Sequence, residues 1–293
     1  MNLIHLNYFK AVCENDNNVS KAAKKLYVSQ STISASLKKL EDTLGIQLYE
    51  RTNNNTLEIT NEGKAIFLKT IQVLEQYDEL LRTVSDLKHG EKHIRFGLPP
   101  MLSAMYLPMM YEMIVEKNLE ILLSVSEELS PLCLKSIKNK NIDFALIAGL
   151  ENEKFGVPFL KICETSLQLC TKSSDLNGCA ALTMEELSDH PLIMLKQPSF
   201  ITSYFNDLFA EKKLKPNIVL ETNHLTSAIY LIKERKLNSI LFKEIIEKEP
   251  ELLGIPIQGI EKVSIYLVWN EESLYFDKLL DFKNNLINLL SKE

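Results

Sequence analysis

Between Gln30 and Leu44 the apolar side chains fall at Ile33, Leu37, Leu40 and Leu44, spaced four, three and four residues apart. At about 100° per residue these four lie within roughly 60° of one another, so the spacing predicts a helix with one face committed to a core. Gly45 follows as a natural stop. The opposite face carries Ser31, Ala35, Lys38 and Asp42, flanked by Thr32, Ser34 and Lys39. Its N-terminal half is short, polar and lightly basic.

Two shorter helices precede this one. Leu3, Leu6, Phe9 and Val12 recur at threes, and Asp16-Asn17-Asn18 interrupts them. Ser20 is expected to cap a second helix from Lys21 to Leu26. Tyr27-Val28-Ser29 then leaves only a tight connection. Downstream, Leu48-Tyr49 leads into the polar turn Thr52-Asn53-Asn54-Asn55, and Leu57 and Ile59 alternate with Glu58, which predicts a hairpin. Three helices and a two-stranded wing make the layout of a winged helix-turn-helix.

A major groove admits one helix, whose N-terminal N–H groups and positive dipole end suit phosphate. Gln30 can pair with adenine edges, Ser31, Thr32 and Ser34 can reach base or phosphate, and Ala35 can meet a thymine methyl. Lys38, Lys39, Lys24 and Lys25 are spaced for phosphates, and Arg51 at the wing base for backbone or a minor groove. Ser20 and Asn54 complete the candidate set for DNA contact. Residues 1–64 carry +1 of a net charge of −6, leaving −7 on the remainder. A wholly basic nucleic-acid coat is excluded, and a local reading module is not. Spacing alone fits equally well two packed helices with a solvated lysine face.

Thr60 is expected to cap a longer helix, about 61–88, on which Phe67, Ile71, Leu74, Tyr77, Leu81, Val84 and Leu87 recur at threes and fours. Such a stripe needs a partner to cover it, a second copy or its own chain. Its length favours a second copy, with Phe67, Ile71, Leu74 and Leu81 as contact residues. His89-Gly90-Glu91-Lys92 marks the best domain boundary. Beyond it, strand-like runs (94–97, 119–125, 142–148, 167–171, 192–195, 218–221, 239–242 and 263–269) alternate with helix-like runs, and 274–290 closes the chain. This alternation predicts mostly parallel α/β sheets with crossover helices, in two subdomains around a cleft.

A ligand in such a cleft sits at strand ends near helix N-termini. Four segments qualify: 98–103 with Pro100, Met101 and Ser103; 127–130, where Ser130 is expected to cap a helix; 197–203 with Gln197, Ser199 and Thr202; and 223–227 with Asn223 and His224. Each hydroxyl also fits simple capping. Nine glycines with no Gly-rich phosphate loop, and the absence of Cys-x-x-Cys and Gly-x-Ser-x-Gly, point to no enzyme, no cofactor and no metal. Five cysteines form no disulfide framework. The opening residues carry no Lys or Arg ahead of an apolar core, and the longest uncharged run, Phe96 to Tyr111, is too short to span a membrane. A soluble cytoplasmic protein is expected.

The order of residues says more than their spacing. Leu6-Asn7-Tyr8-Phe9, Ala22-Ala23-Lys24-Lys25-Leu26-Tyr27-Val28-Ser29-Gln30-Ser31-Thr32-Ile33-Ser34, Leu37-Lys38-Lys39-Leu40-Glu41, Leu44-Gly45, Leu48-Tyr49-Glu50-Arg51 and Thr60-Asn61-Glu62-Gly63 closely resemble the LysR-type transcriptional regulators over about sixty residues, gaps in register. The resemblance implies a winged helix over 1–60, a linker helix over 61–89 that pairs with its mate in a dimer, and an effector-binding domain over 90–293. That domain resembles periplasmic solute-binding proteins. Its subdomain I is expected at about 90–162 plus 267–293, and subdomain II at about 163–266. The implied partners are double-stranded promoter DNA, a small-molecule effector, a second copy in a homodimer or homotetramer, and RNA polymerase.

Two departures from the family pattern bear on specificity. Where relatives often carry Arg for base readout, this chain has Ala35, which shifts reading toward Gln30, Thr32, Ser34 and DNA shape. Where relatives often carry small hydroxyl residues, it has Pro99, Pro100, Met101 and Leu102, a more apolar pocket mouth. Some relatives sense peroxide through a cysteine pair. Here Cys163, Cys170 and Cys179 cluster in sequence, but the region 197–202, where that pair sits, has no cysteine. Redox sensing and a solute-binding domain with a non-DNA-binding front module are the alternatives.

Overall fold

The computed structural model describes residues 2–51, 57–89, 93–151, 153–172, 181–271 and 276–290. It divides into two units, Met1–Leu87 and Lys88–Glu293.

The first unit comprises α1 (Leu3–Glu14), α2 (Val19–Lys25), α3 (Gln30–Leu44), the strands β1 (Tyr49–Arg51) and β2 (Leu57–Ile59), and α4 (Asn61–His89). α3 occupies the span that its periodicity predicts. Ser29 caps it by accepting from Thr32 N at 3.1 Å, and Gly45 ends it at φ +68°, its N–H returning to Glu41 O at 2.8 Å. α2 corrects an expectation: its cap is Asn18, whose Oδ1 accepts from Lys21 N at 2.9 Å, and Ser20 lies inside the first turn. Both residues are good caps. Asn18 wins because the helix begins at Val19, which places Lys21 N three residues beyond it.

Ile33, Leu37 and Leu40 are buried as the stripe demands, and Leu44 is half-buried. They close on Leu6, Phe9, Val12, Ala22, Ala23 and Leu48. Phe9 is fully buried, with Tyr49 and Phe67 edge-on at 5.7 and 6.3 Å between ring centroids. Each such side chain contributes about 1.5–3 kcal/mol of transfer free energy. The wing pairs antiparallel, Tyr49 with Ile59 and Arg51 with Leu57. Glu41 ties it to α3, its Oε1 accepting from Leu48 N at 2.7 Å and Tyr49 N at 3.1 Å.

The second unit runs β3 (His93–Gly97), α5 (Pro100–Glu116), β4 (Leu122–Ser126), α6 (Ser130–Lys138), β5 (Phe144–Gly149), β6 (Phe159–Thr165), β7 (Leu167–Lys172), α7 (Met184–Asp189), β8 (Leu192–Met194), α8 (Phe200–Glu211), β9 (Ile218–Glu221), α9 (Leu225–Arg235), β10 (Asn238–Phe242), α10 (Lys243–Glu247), β11 (Leu252–Pro256), β12 (Val263–Trp269) and α11 (Phe276–Leu290). Two five-stranded sheets form, in the orders β4-β3-β5-β12-β6 and β11-β7-β10-β8-β9.

The sheets are mixed, not mostly parallel. β4, β3 and β5 run parallel, as do β9, β8 and β10, but β12 lies antiparallel to β5 and β6, and β7 antiparallel to β10 and β11. The antiparallel strands are those where the chain passes between sheets without a crossover helix. Only Ser166 separates β6 from β7. The passages therefore fall after Thr165 and before Val263, so the expected subdomain limits at 162/163 and 266/267 cut through β6 and β12, which belong wholly to the first sheet.

In the first sheet residues alternate between two covers. Phe96, Phe144 and Leu146 join the core beneath α5 and α11, while Ala145, Ile147 and Tyr266 join Cys133 and Ile137 of α6. The Asp143 carboxylate, only 3% exposed, accepts from Arg95 Nη2 at 2.8 Å, Arg95 Nε at 3.2 Å and Arg95 N at 2.8 Å.

Candidate nucleic-acid interface and ligand cleft

The face of α3 opposite its buried stripe is open. Gln30, Ser31, Thr32, Ser34, Ala35, Lys38 and Lys39 are all exposed. The Ser29 hydroxyl organises the start of this face, lying 2.7 Å from Ser31 Oγ and 2.8 Å from Thr32 Oγ1. Lys24 and Lys25 stand exposed in the last turn of α2. Tyr27, read from sequence only as part of a tight connection, is 96% exposed at a positive φ of 55° beside the start of α3. Its one signal was an aromatic residue in a tight connection between two helices. Ser20 is half-buried, Arg51 ends β1, and Asn54 lies outside the described residues.

α4 is entered through Thr60, whose Oγ1 accepts from Gly63 N at 2.8 Å. Its stripe divides. Phe67 and Leu74 pack on the core of their own unit, and Leu74 is only 5% exposed. Leu74 is thus already covered within its own chain, because α4 passes over the three-helix core before running on. Ile71 is half-buried. The later residues Tyr77, Leu80, Leu81, Val84 and Leu87 stay exposed, Leu81 at 50%.

In the second unit the four segments picked from sequence line two adjoining spaces. A cleft of about 760 Å³ is bounded by Pro100, Ser103 and Tyr111 of α5, by Glu127, and by Asn223 to Ser227 at the start of α9. An inner slot of about 20 Å³ shares Pro100 and adds Met101, Ser130, Ser199 and Phe200. Several expected contact groups are engaged within the chain. Thr202 is 1% exposed, and its hydroxyl donates to Leu195 O at 2.6 Å. Ser199 caps α8 through Thr202 N. Ser130 is not a cap; it is the first residue of α6, and its Oγ accepts from Ala148 N at 3.2 Å. Gln197 Oε1 accepts from Ser203 Oγ at 3.1 Å, and Asn223 Oδ1 from Lys196 N at 2.9 Å.

Burial pushes the Cys133 and Cys170 thiols up to about 12, which keeps them protonated and poorly nucleophilic at neutral pH. Burial also raises Cys13, which sits 3.0 Å from the Tyr49 hydroxyl. Cys163 lies 3.3 Å from the Tyr106 hydroxyl, and Cys179 falls outside the described residues. Among the described residues no cluster of His, Cys, Asp and Glu could hold a metal, and no helix is long and apolar enough to cross a membrane.

Residues 3–64 match the model of the bacterial regulatory helix-turn-helix proteins of the lysR family, and residues 88–286 that of the LysR substrate binding domain. The chain is 27% identical over 303 residues to a probable RuBisCO transcriptional regulator of Phaeodactylum tricornutum, covering 99% of this chain and 97% of the relative. It is 27% identical over 241 residues to the HTH-type transcriptional regulator BenM of Acinetobacter baylyi, covering 79% and 77%. Solved structures with the same fold include CbnR complexed with its target DNA, at a TM-score of 0.52 and 21% identity, covering 99% of this chain and all of that one. HinK of Pseudomonas aeruginosa is another, at a TM-score of 0.53 and 18% identity, covering 99% of each chain. The family consists of transcriptional regulators, not enzymes. With a helix-turn-helix module and a substrate-binding domain both matched, the chain belongs to the LysR family of DNA-binding transcriptional regulators.

Proposed function

We propose that this regulator reads paired half-sites in promoter DNA as a homodimer or homotetramer, and that a small molecule in the cleft of its second unit shifts how the paired winged helices sit on DNA. The observation that carries the reading is the open N-terminal face of α3, anchored from behind by Ile33, Leu37 and Leu40. Gln30, Thr32, Ser34 and Ala35 read base edges, while Ser31, Lys38, Lys39, Arg51 and the wing residue Asn54 meet the backbone. Ser20, in the first turn of α2, contributes at the phosphate side. The effector acts by preferring one closure state of the cleft, since a ligand of equal affinity for both states shifts nothing. Contact with RNA polymerase and a cytoplasmic setting follow from this role.

Lys38→Ala tests the reading. Binding to specific and random duplexes should weaken alike, and the slope of log affinity against log salt should become shallower by about one. An unchanged slope contradicts a phosphate role for this face.

For self-association the exposed end of α4 supplies the contact, with Phe67, Ile71 and Leu74 supporting it from within. Leu81→Asp removes an apolar group from that end without touching the unit's own core. Sedimentation should show dissociation into smaller species, and an unchanged assembly would place the interface elsewhere.

A further inference from the structure

Helix N-termini that open on a cleft ordinarily present free N–H groups to an anion. In the cleft assigned above to the effector, a reading on which this inference rests, three of the four helix starts have donors removed or engaged. α5 has Pro99 at its cap and Pro100 at its first position, so neither supplies an N–H. Pro131 removes another from the first turn of α6. At α8, Ser199 accepts from Thr202 N, and Thr202 donates to Leu195 O.

Charge leads to the same result. Among the described residues lining the cleft and the inner slot there is no Lys or Arg, His224 is the one basic side chain, and Glu127 supplies a carboxylate. A carboxylate ligand would give up its hydration there with no permanently charged partner and with Glu127 nearby. One wall is apolar, formed by Pro100, Leu107, Pro108 and Tyr111, and the other end is polar through Asn223, Thr226 and Ser227. α9, the fourth helix start, begins at that end with no side-chain cap on its first turn, so its N–H groups are available to a ligand oxygen.

We infer that the effector is an uncharged small molecule, with an apolar body against the α5 wall and a hydroxyl, carbonyl or amide at the α9 end. The test uses the full chain and three probes with one apolar body and different charge: cyclohexanemethanol, cyclohexanecarboxylate and cyclohexylmethylammonium. Thermal unfolding is followed by circular dichroism at millimolar probe, in the native chain and in Ala104→Phe, which fills the cleft from an exposed position of α5. The alcohol should raise the midpoint by about 2–4 °C, with smaller shifts from the two ions and none in Ala104→Phe. A larger shift from either ion, itself lost in Ala104→Phe, overturns the uncharged assignment and leaves the cleft standing. A shift that persists in Ala104→Phe overturns the cleft reading, and no shift from the alcohol overturns the inference.

Discussion

Gly63→Val should destabilise the winged-helix unit by about 3 kcal/mol and cost it DNA affinity, because the third residue of α4 has no room for a side chain. A Cβ at Gly63 would collide with the Leu48 carbonyl oxygen and stand 2.8 Å from Ile59 Cγ1. Neither neighbour can yield cheaply. Leu48 is held through its N–H by Glu41 and through its carbonyl by Thr60 N at 3.0 Å, and Ile59 is in the wing strand β2. Helix propensity argues the other way, since Gly→Ala inside a helix usually gains about 1 kcal/mol. Even Gly63→Ala should therefore lose stability, and the sign alone is diagnostic. Hydrogen exchange of the buried α1 and α3 amides in the intact chain reads the change. Protection unchanged or improved in Gly63→Ala would mean that α4 does not approach the wing so closely.

Asp143→Ala should be the most damaging single change in the second unit, at about 3–5 kcal/mol. It removes the acceptor of three Arg95 donors, two of them on a largely buried guanidinium. Trp269 pairs with Phe144 in the adjoining strand and is the only tryptophan of the chain, so its fluorescence reports unfolding of this sheet. Replacing both partners, Arg95→Leu with Asp143→Leu, should recover most of the loss. A cost below about 1 kcal/mol for the single change would show that water or another acceptor takes over.

The winged helix was legible almost residue by residue because it is built on local signals. The four-three-four spacing fixes which side of α3 is buried, and Gly45 fixes its end. The misreading at α2 came from two good caps two residues apart, which only the helix start distinguishes. The second unit was harder, because its geometry is set by pairing between distant segments. β11 escaped notice because Leu252–Pro256 contains Gly254 and Pro256, which suit an edge strand and disguise it. β6, also at an edge and half-exposed, shows no alternation of burial. Strand direction was unreadable where the chain changes sheet.

The cleft was legible as a meeting place of four segments and not as chemistry. All four segments chosen from helix starts and strand ends do line it or its inner slot. Which hydroxyls remain for a ligand depends on partners far along the chain, such as Ala148 for Ser130. Likewise, periodicity on α4 could not tell the part of the stripe covered by its own unit, at Phe67 and Leu74, from the exposed part beyond.

Gln30→Ala tests most directly whether α3 lies in a major groove with its first turn against base edges. The variant and the native chain are each selected against duplexes randomised across one half-site, with affinity for unrelated DNA measured in parallel. Preference should flatten at one or two adjacent base pairs, by about 1–3 kcal/mol at the read base, while affinity for unrelated DNA stays the same. An equal loss on every sequence, or an unaltered preference, would contradict it.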